Sequence, residues 1–142
     1  MYVSIPEETD FKFAREVDYH RDRTAVWSGQ GFDMCEITNL SNLQTWKDDS
    51  PFSVINLYIG GDVFACDDHI PTPELIEGLS KQGWKFIPTW VGPQAATTTF
   101  SKTMSCTPST AYQQGRDQAE DASRIAMKLG LGAADRSGTV IY

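Results

Sequence analysis

Apolar and polar positions alternate most plainly over Phe52–Ile59, which reads Phe-Ser-Val-Ile-Asn-Leu-Tyr-Ile. β-Branched and aromatic residues dominate the stretch and Gly60-Gly61 ends it, so it predicts a strand. Successive strand side chains point to opposite faces. Ile55, Leu57 and Ile59 therefore share one face, and Val54, Asn56 and Tyr58 the other. The first face is apolar enough to meet helices, while the second carries polar tips on apolar bodies. Upstream, Gly31-Phe32-Asp33 predicts a short first strand ending in a carboxylate. Downstream, Trp84–Val91 predicts a third strand. Pro88 inside it has no N–H to give to a ladder, and a bulge is expected there. Thr139-Val140-Ile141-Tyr142 opens a fourth strand.

Helical spacing fills the gaps between strands. Leu40, Leu43 and Trp46 or Lys47 form a short stripe that Pro51 stops, and Ser41-Asn42-Leu43-Gln44 fits a capping box at its start. Thr72 caps the next helix, Pro73 occupies its first turn, and Glu74 and Glu77 suit its positive end. Leu75, Ile76 and Leu79 are its buried stripe, and Gly83 suits the left-handed position that ends it. A long helix runs from about Thr110 to Leu129. Tyr112, Gly115, Ala119, Ala122, Ala126 and Leu129 recur there every three or four residues, and Gly130 ends it. A stripe this small predicts close packing on a sheet.

The order β-α-β-α-β-α-β makes a parallel sheet with helical crossovers. Parallel strands are covered on both faces. Three helices on one side of four strands leave the other side bare, and in a closed barrel that side is the interior. Closure takes eight such units, typically about 250 residues. The expectation is an α/β fold, the N-terminal half of a (β/α)8 TIM-type barrel with about four parallel strands and three helices. It would span residues 26–142, behind a leader or linker over residues 1–25. An open doubly wound sheet with helices on both faces is the alternative.

Composition narrows the partners. The 142 residues are enough for one domain with a core, and 40% are apolar, too many for a disordered chain. Twelve basic against nineteen acidic residues leave a net charge of −7 without a basic stripe, so nucleic acid is not an expected partner. No apolar run approaches the roughly 20 residues of a membrane span. Met1–Asp10 shows no basic stretch followed by an apolar one, so no signal peptide is visible. Cys35, Cys66 and Cys106 form no CxxC pair, which excludes a zinc ribbon or a thioredoxin-type site.

In such a fold functional groups gather where strands end. Strand 1 ends in Asp33-Met34-Cys35-Glu36, strand 2 in Tyr58-Ile59-Gly60-Gly61-Asp62, and strand 3 in Thr89-Trp90-Val91-Gly92-Pro93-Gln94. Aromatic faces beside carboxylates and amides suit a sugar, which has apolar ring faces and hydroxyl edges. Asp33 is the catalytic candidate; Glu36, Tyr58, Trp90 and Gln94 are the substrate-binding candidates. The bland alternatives are a loop-fixing Asp33, a solvated Glu36, aromatics packed inside the fold and an ordinary loop amide. Asp62, Asp67, Asp68 and His69 sit close along one loop, but an acidic loop run is ordinarily solvated, and neither metal nor cofactor is expected. Neither His20 nor His69 is placed to activate Cys35 as a nucleophile.

Gly31-Phe32-Asp33-Met34-Cys35-Glu36, Asn56-Leu57-Tyr58-Ile59-Gly60-Gly61 and Gly83–Gln94 together resemble the glycoside-hydrolase-like domain family, long a domain of unknown function. Tyr112–Leu129 and the closing Val140-Ile141-Tyr142 fit as well, so the resemblance covers about Gly29 to Tyr142. It implies a TIM-type barrel, distantly similar to lysozyme-type barrels, acting on or binding cell-wall or surface polysaccharide in an extracellular or cell-surface setting. It also implies that Asp33 is the first acidic residue of the site and that the main acidic pair follows strand 4, past Tyr142. Glycoside hydrolysis generally needs two carboxyls flanking the bond. The chain as it stands is therefore expected to be inactive, and a non-catalytic glycan-binding module on the same fold is the alternative. Cys66 and Cys106 lie in loops sharing one rim, which makes them the disulfide candidate in an oxidising compartment, against two free thiols. A half-barrel also exposes strand edges, and self-association is expected.

Overall fold

Ile55, Leu57 and Ile59 form the buried face of the central strand, as their alternation predicts. The computed structural model describes residues 28–37, 39–66, 69–131 and 141–142; the leader expected over residues 1–25 lies outside them. Three strands, β1 (Gln30–Met34), β2 (Phe52–Gly60) and β3 (Lys85–Trp90), alternate with α1 (Leu40–Asp49), α2 (Pro73–Lys81) and α3 (Pro108–Lys128). The strands pair in parallel in the order β1-β2-β3, so the fold is mixed α/β. All three helices contribute to one core against β2: Leu43 from α1, Ile76 and Leu79 from α2, and Ala126 from α3. At the start of the strands that core is aromatic. The Phe32 ring meets Trp46, Phe52 and Trp84 at centroid distances of 5.0, 5.5 and 5.6 Å.

Of the expected fourth strand, Thr139 and Val140 lie outside the described residues. The Tyr142 N–H donates to the Pro88 carbonyl, and the Trp90 N–H donates to the Tyr142 carbonyl, both at 2.8 Å. This alternation is that of a parallel neighbour beyond β3. It also explains why Pro88 does not bulge the strand as expected. A strand residue's N–H and C=O point to the same side, so the missing donor of Pro88 faces the Tyr142 side and the β2 ladder loses nothing. The irregularity falls instead between Tyr58 and Gly60.

Both ends of α2 are as its sequence predicts. The Thr72 hydroxyl accepts from the Leu75 N–H at 3.2 Å. Bonds from its own backbone N–H and from Thr72 hold the Glu74 carboxyl below its usual value. Gly83, at φ 84°, donates to the Ser80 carbonyl, and Trp84 donates to that of Leu79, closing a Schellman motif. α1 departs from expectation. Its cap is Asn39, whose Oδ1 accepts from both the N–H and the hydroxyl of Ser41, and Gln44 bonds Asp48 rather than reaching back. The small-residue stripe of α3 packs only over its last turns. Ala122 and Ala126 are buried, whereas Tyr112, Gly115 and Ala119 are exposed. Two glutamines anchor the first half instead. Gln114 bonds Ser105 and Thr103, and Gln118 accepts from the Trp90 indole.

The disulfide joins Cys35 to Cys66, with Cα atoms 5.6 Å apart, and Cys106 is free and exposed. This corrects the expected Cys66–Cys106 pair. Cys35 leaves β1 at the rim where the loop after β2 returns, so Cys66 meets it there. Closing a loop of 31 residues restricts the unfolded chain and is worth about 3 to 4 kcal/mol in the loop-entropy view.

β2 ends on a close backbone approach. A Cβ on Gly61, at φ +126°, would stand 2.2 Å from the Val91 carbonyl oxygen, whereas Gly115 on α3 has nothing within 4 Å of that position. Gly61→Ala should therefore destabilise by about 2 kcal/mol through backbone strain. Gly115→Ala should stabilise by about 0.5 to 1 kcal/mol through helix propensity. Urea unfolding of the two variants checks the opposite signs. Thiol titration of the unreduced, denatured chain should find one thiol, peptide mapping should link Cys35 to Cys66, and reduction should lower the urea midpoint.

Candidate functional site

The register of three parallel strands sets the site. Asp33 on β1 lies opposite Asn56 on β2, and Tyr58 lies opposite Thr89 on β3. By alternation Asn56 and Tyr58 leave the sheet on the face away from the helices, since Ile55, Leu57 and Ile59 fill the other. Asp33 and Thr89 join them there. The Asn56 Nδ2 donates to Asp33 Oδ1, and the Tyr58 hydroxyl donates to the same oxygen at 3.2 Å. The Thr89 hydroxyl donates to Asn56 Oδ1. One chain of hydrogen bonds thus crosses all three strands near their C-terminal ends, from buried Thr89 to exposed Asp33. No bond among the described residues occupies Asp33 Oδ2.

Burial pushes the Tyr58 phenol above its usual 10.0, and the hydrogen bond to Asp33 and the negative charge there push the same way. Tyr58 is accordingly a protonated donor at neutral pH.

Of the residues singled out from sequence, Asp33 and Tyr58 come together. Trp90 does not join them. It packs against the core on the helix side, and its Nε1 donates to Gln118 Oε1 at 2.8 Å. Gln94 folds back on its own loop, its Nε2 donating to the Gly92 carbonyl at 2.9 Å. Glu36 is exposed two residues past β1, and no bond among the described residues joins it to Asp33. Asn56 and Thr89 are the members that sequence reasoning missed. The available signal was a lone amide on the polar face of β2, one strand from a carboxylate.

Asp67 and Asp68 lie outside the described residues. Among those described, no group of three His, Cys, Asp or Glu side chains could hold a metal ion. No helix among them is long and apolar enough to cross a membrane. An open depression lined by Thr45, Trp46, Asp49, Ser50 and Phe52 lies at the opposite end of β2 from the Asp33 network.

Such a network can hold one carboxylate rigid and present its free oxygen, a phenol oxygen and an amide N–H to a hydroxylated ligand. A model of the Rv2525c-like, glycoside hydrolase-like domain matches residues 44–142. The match takes in β2, α2, β3 and α3, and begins after β1, so Asp33 and Glu36 precede it. No curated protein and no solved structure matches the chain. Because the family model spans more than half of the sequence, the chain belongs to the Rv2525c-like, glycoside hydrolase-like domain family.

Proposed function

We propose that this domain acts on or binds a neutral cell-wall or surface polysaccharide through the Asp33 network, on the N-terminal half of a (β/α)8-type barrel. The observation that carries the reading is an exposed, strand-borne carboxylate held at one oxygen by Asn56 and Tyr58. Acceptors prevail at the site, and the net charge of −7 disfavours an anionic ligand. Sugar hydroxyls are donors that such a surface recognises. The barrel reading is supported by helices that share one face of the described sheet, whereas a doubly wound sheet would carry them on both. The Cys35–Cys66 disulfide supports an extracellular or cell-surface setting, because such bonds persist in oxidising compartments.

In the enzymatic form Asp33 is one of the two carboxyls that glycoside hydrolysis requires, acting with carboxylates that follow strand 4. A non-catalytic glycan-binding role is the second reading. It is favoured by the fact that Asp33 is the only carboxylate in the described network.

Isothermal titration with cello- and chito-oligosaccharides tests the reading. Asp33→Asn should weaken binding roughly ten- to hundredfold, as expected for losing hydrogen bonds to a charged acceptor. Absence of binding to the wild type, or an unchanged affinity in the variant, defeats it. In protein that carries the carboxylates proposed to follow strand 4, release of reducing ends selects the enzymatic form, and binding without release selects the other.

The phenol supplies a second check. Tyr58 titrates above its unfolded value, so its contribution to stability is complete below about pH 10 and is lost as pH rises through the folded value. In Asp33→Asn the phenolate absorbance of Tyr58 should appear at lower pH than in wild type. It should remain above 10.0, because burial, the largest cause of the shift, persists.

A further inference from the structure

Thr89 is the one polar residue in the described core, at 7% exposure. We propose that Thr89 is a positioning residue that acts on Asp33 through the amide of Asn56, and so helps to fix the rotation of the carboxylate. The inference rests on the reading of Asp33 as the ligand-facing group.

An amide side chain has two nearly isosteric orientations, and its neighbours choose between them. Asn56 stands between an acceptor, Asp33 Oδ1, and a hydroxyl, Thr89 Oγ1. Turned one way, its N–H bonds meet the carboxylate and its oxygen takes the Thr89 proton. Turned the other way, two oxygens face each other across the β1–β2 gap. The Thr89 proton has a competing acceptor in the Ile87 carbonyl, but at 3.4 Å that contact is the poorer one. The hydroxyl therefore goes to Asn56, and the amide is held with its donor on Asp33. Tyr58 adds a second donor to the same Oδ1, from 3.2 Å. Both donors act on one oxygen, which fixes the rotation of the carboxylate. The whole chain runs between adjacent strands, so its geometry is set by backbone register.

Removing the Thr89 hydroxyl while keeping its shape isolates the effect. In Thr89→Val the Asn56 oxygen loses its donor, and the amide is held from the Asp33 side alone. In Thr89→Ser the hydroxyl returns. The side-chain amide of Asn56, observed by NMR in 15N-labelled protein, reads this directly. In wild type its resonances should move with protonation of the Asp33 carboxyl, and its exchange with water should be slow. In Thr89→Val exchange should accelerate roughly two- to tenfold, the equivalent of one lost neutral hydrogen bond, and Thr89→Ser should restore it. An Asn56 amide unaffected by Thr89→Val overturns the proposal. If that variant does not fold, a wild-type amide that ignores carboxyl protonation overturns it equally. The oligosaccharide titration is separate. An amide that behaves as expected in a protein that binds no saccharide leaves the relay standing and removes the glycan reading. An indifferent amide in a protein that does bind removes the relay alone.

Discussion

Burial of Ile55, Leu57 and Ile59 beneath three helices is the constraint on which the rest of the structure depends. A parallel strand cannot slip by one residue without exchanging its faces. Once these three side chains are committed to the helix side, Asn56 and Tyr58 must stand on the other. β2 is also the central strand of the described sheet, so its register fixes both neighbours. Asp33 is brought opposite Asn56 and Thr89 is brought opposite Tyr58 by the same ladder. Apolar burial and the polar network are therefore two results of one alternation.

The rim is closed by two local devices of different kinds. The Cys35–Cys66 bond holds the chain that leaves β1 against the loop that leaves β2. Gly61 lets the end of β2 come so near β3 that a side chain would collide with Val91. Both lie just beyond the strand ends that carry the network. On the opposite end of the sheet, aromatic packing around Phe32 and Trp84 does the equivalent work without polar groups. The Lys47 ammonium lies 4.7 Å from the Trp84 ring centroid and adds a cation–π contact there.

Much of this was legible in the sequence, for definite reasons. β2 and α2 were readable because period, caps and terminal glycines agreed at each position, and such local consistency marks an unambiguous element. Asp33 and Tyr58 were readable as strand-end groups. Trp90 stands at a strand end yet outside the network because alternation separates neighbours: Thr89 faces the network and Trp90 faces α3. Asn56 and Thr89 escaped because a hydrogen-bond partner on another strand is known only once the register is known. The disulfide escaped because connectivity follows from where loops return in space. The first half of α3 misled because small residues satisfy a helical period without requiring burial, and the two glutamines that anchor it are polar.

One consequence concerns how such a domain can diversify. Among the described residues, the groups that hold Asp33 belong to neighbouring strands, and none belongs to a loop. Lengthening or exchanging the loops around the rim would therefore reshape the entrance while the carboxylate stayed where the sheet puts it. Ligand preference and the orientation of the central group can then evolve separately, the first in connecting segments that tolerate insertion, the second in a framework that does not.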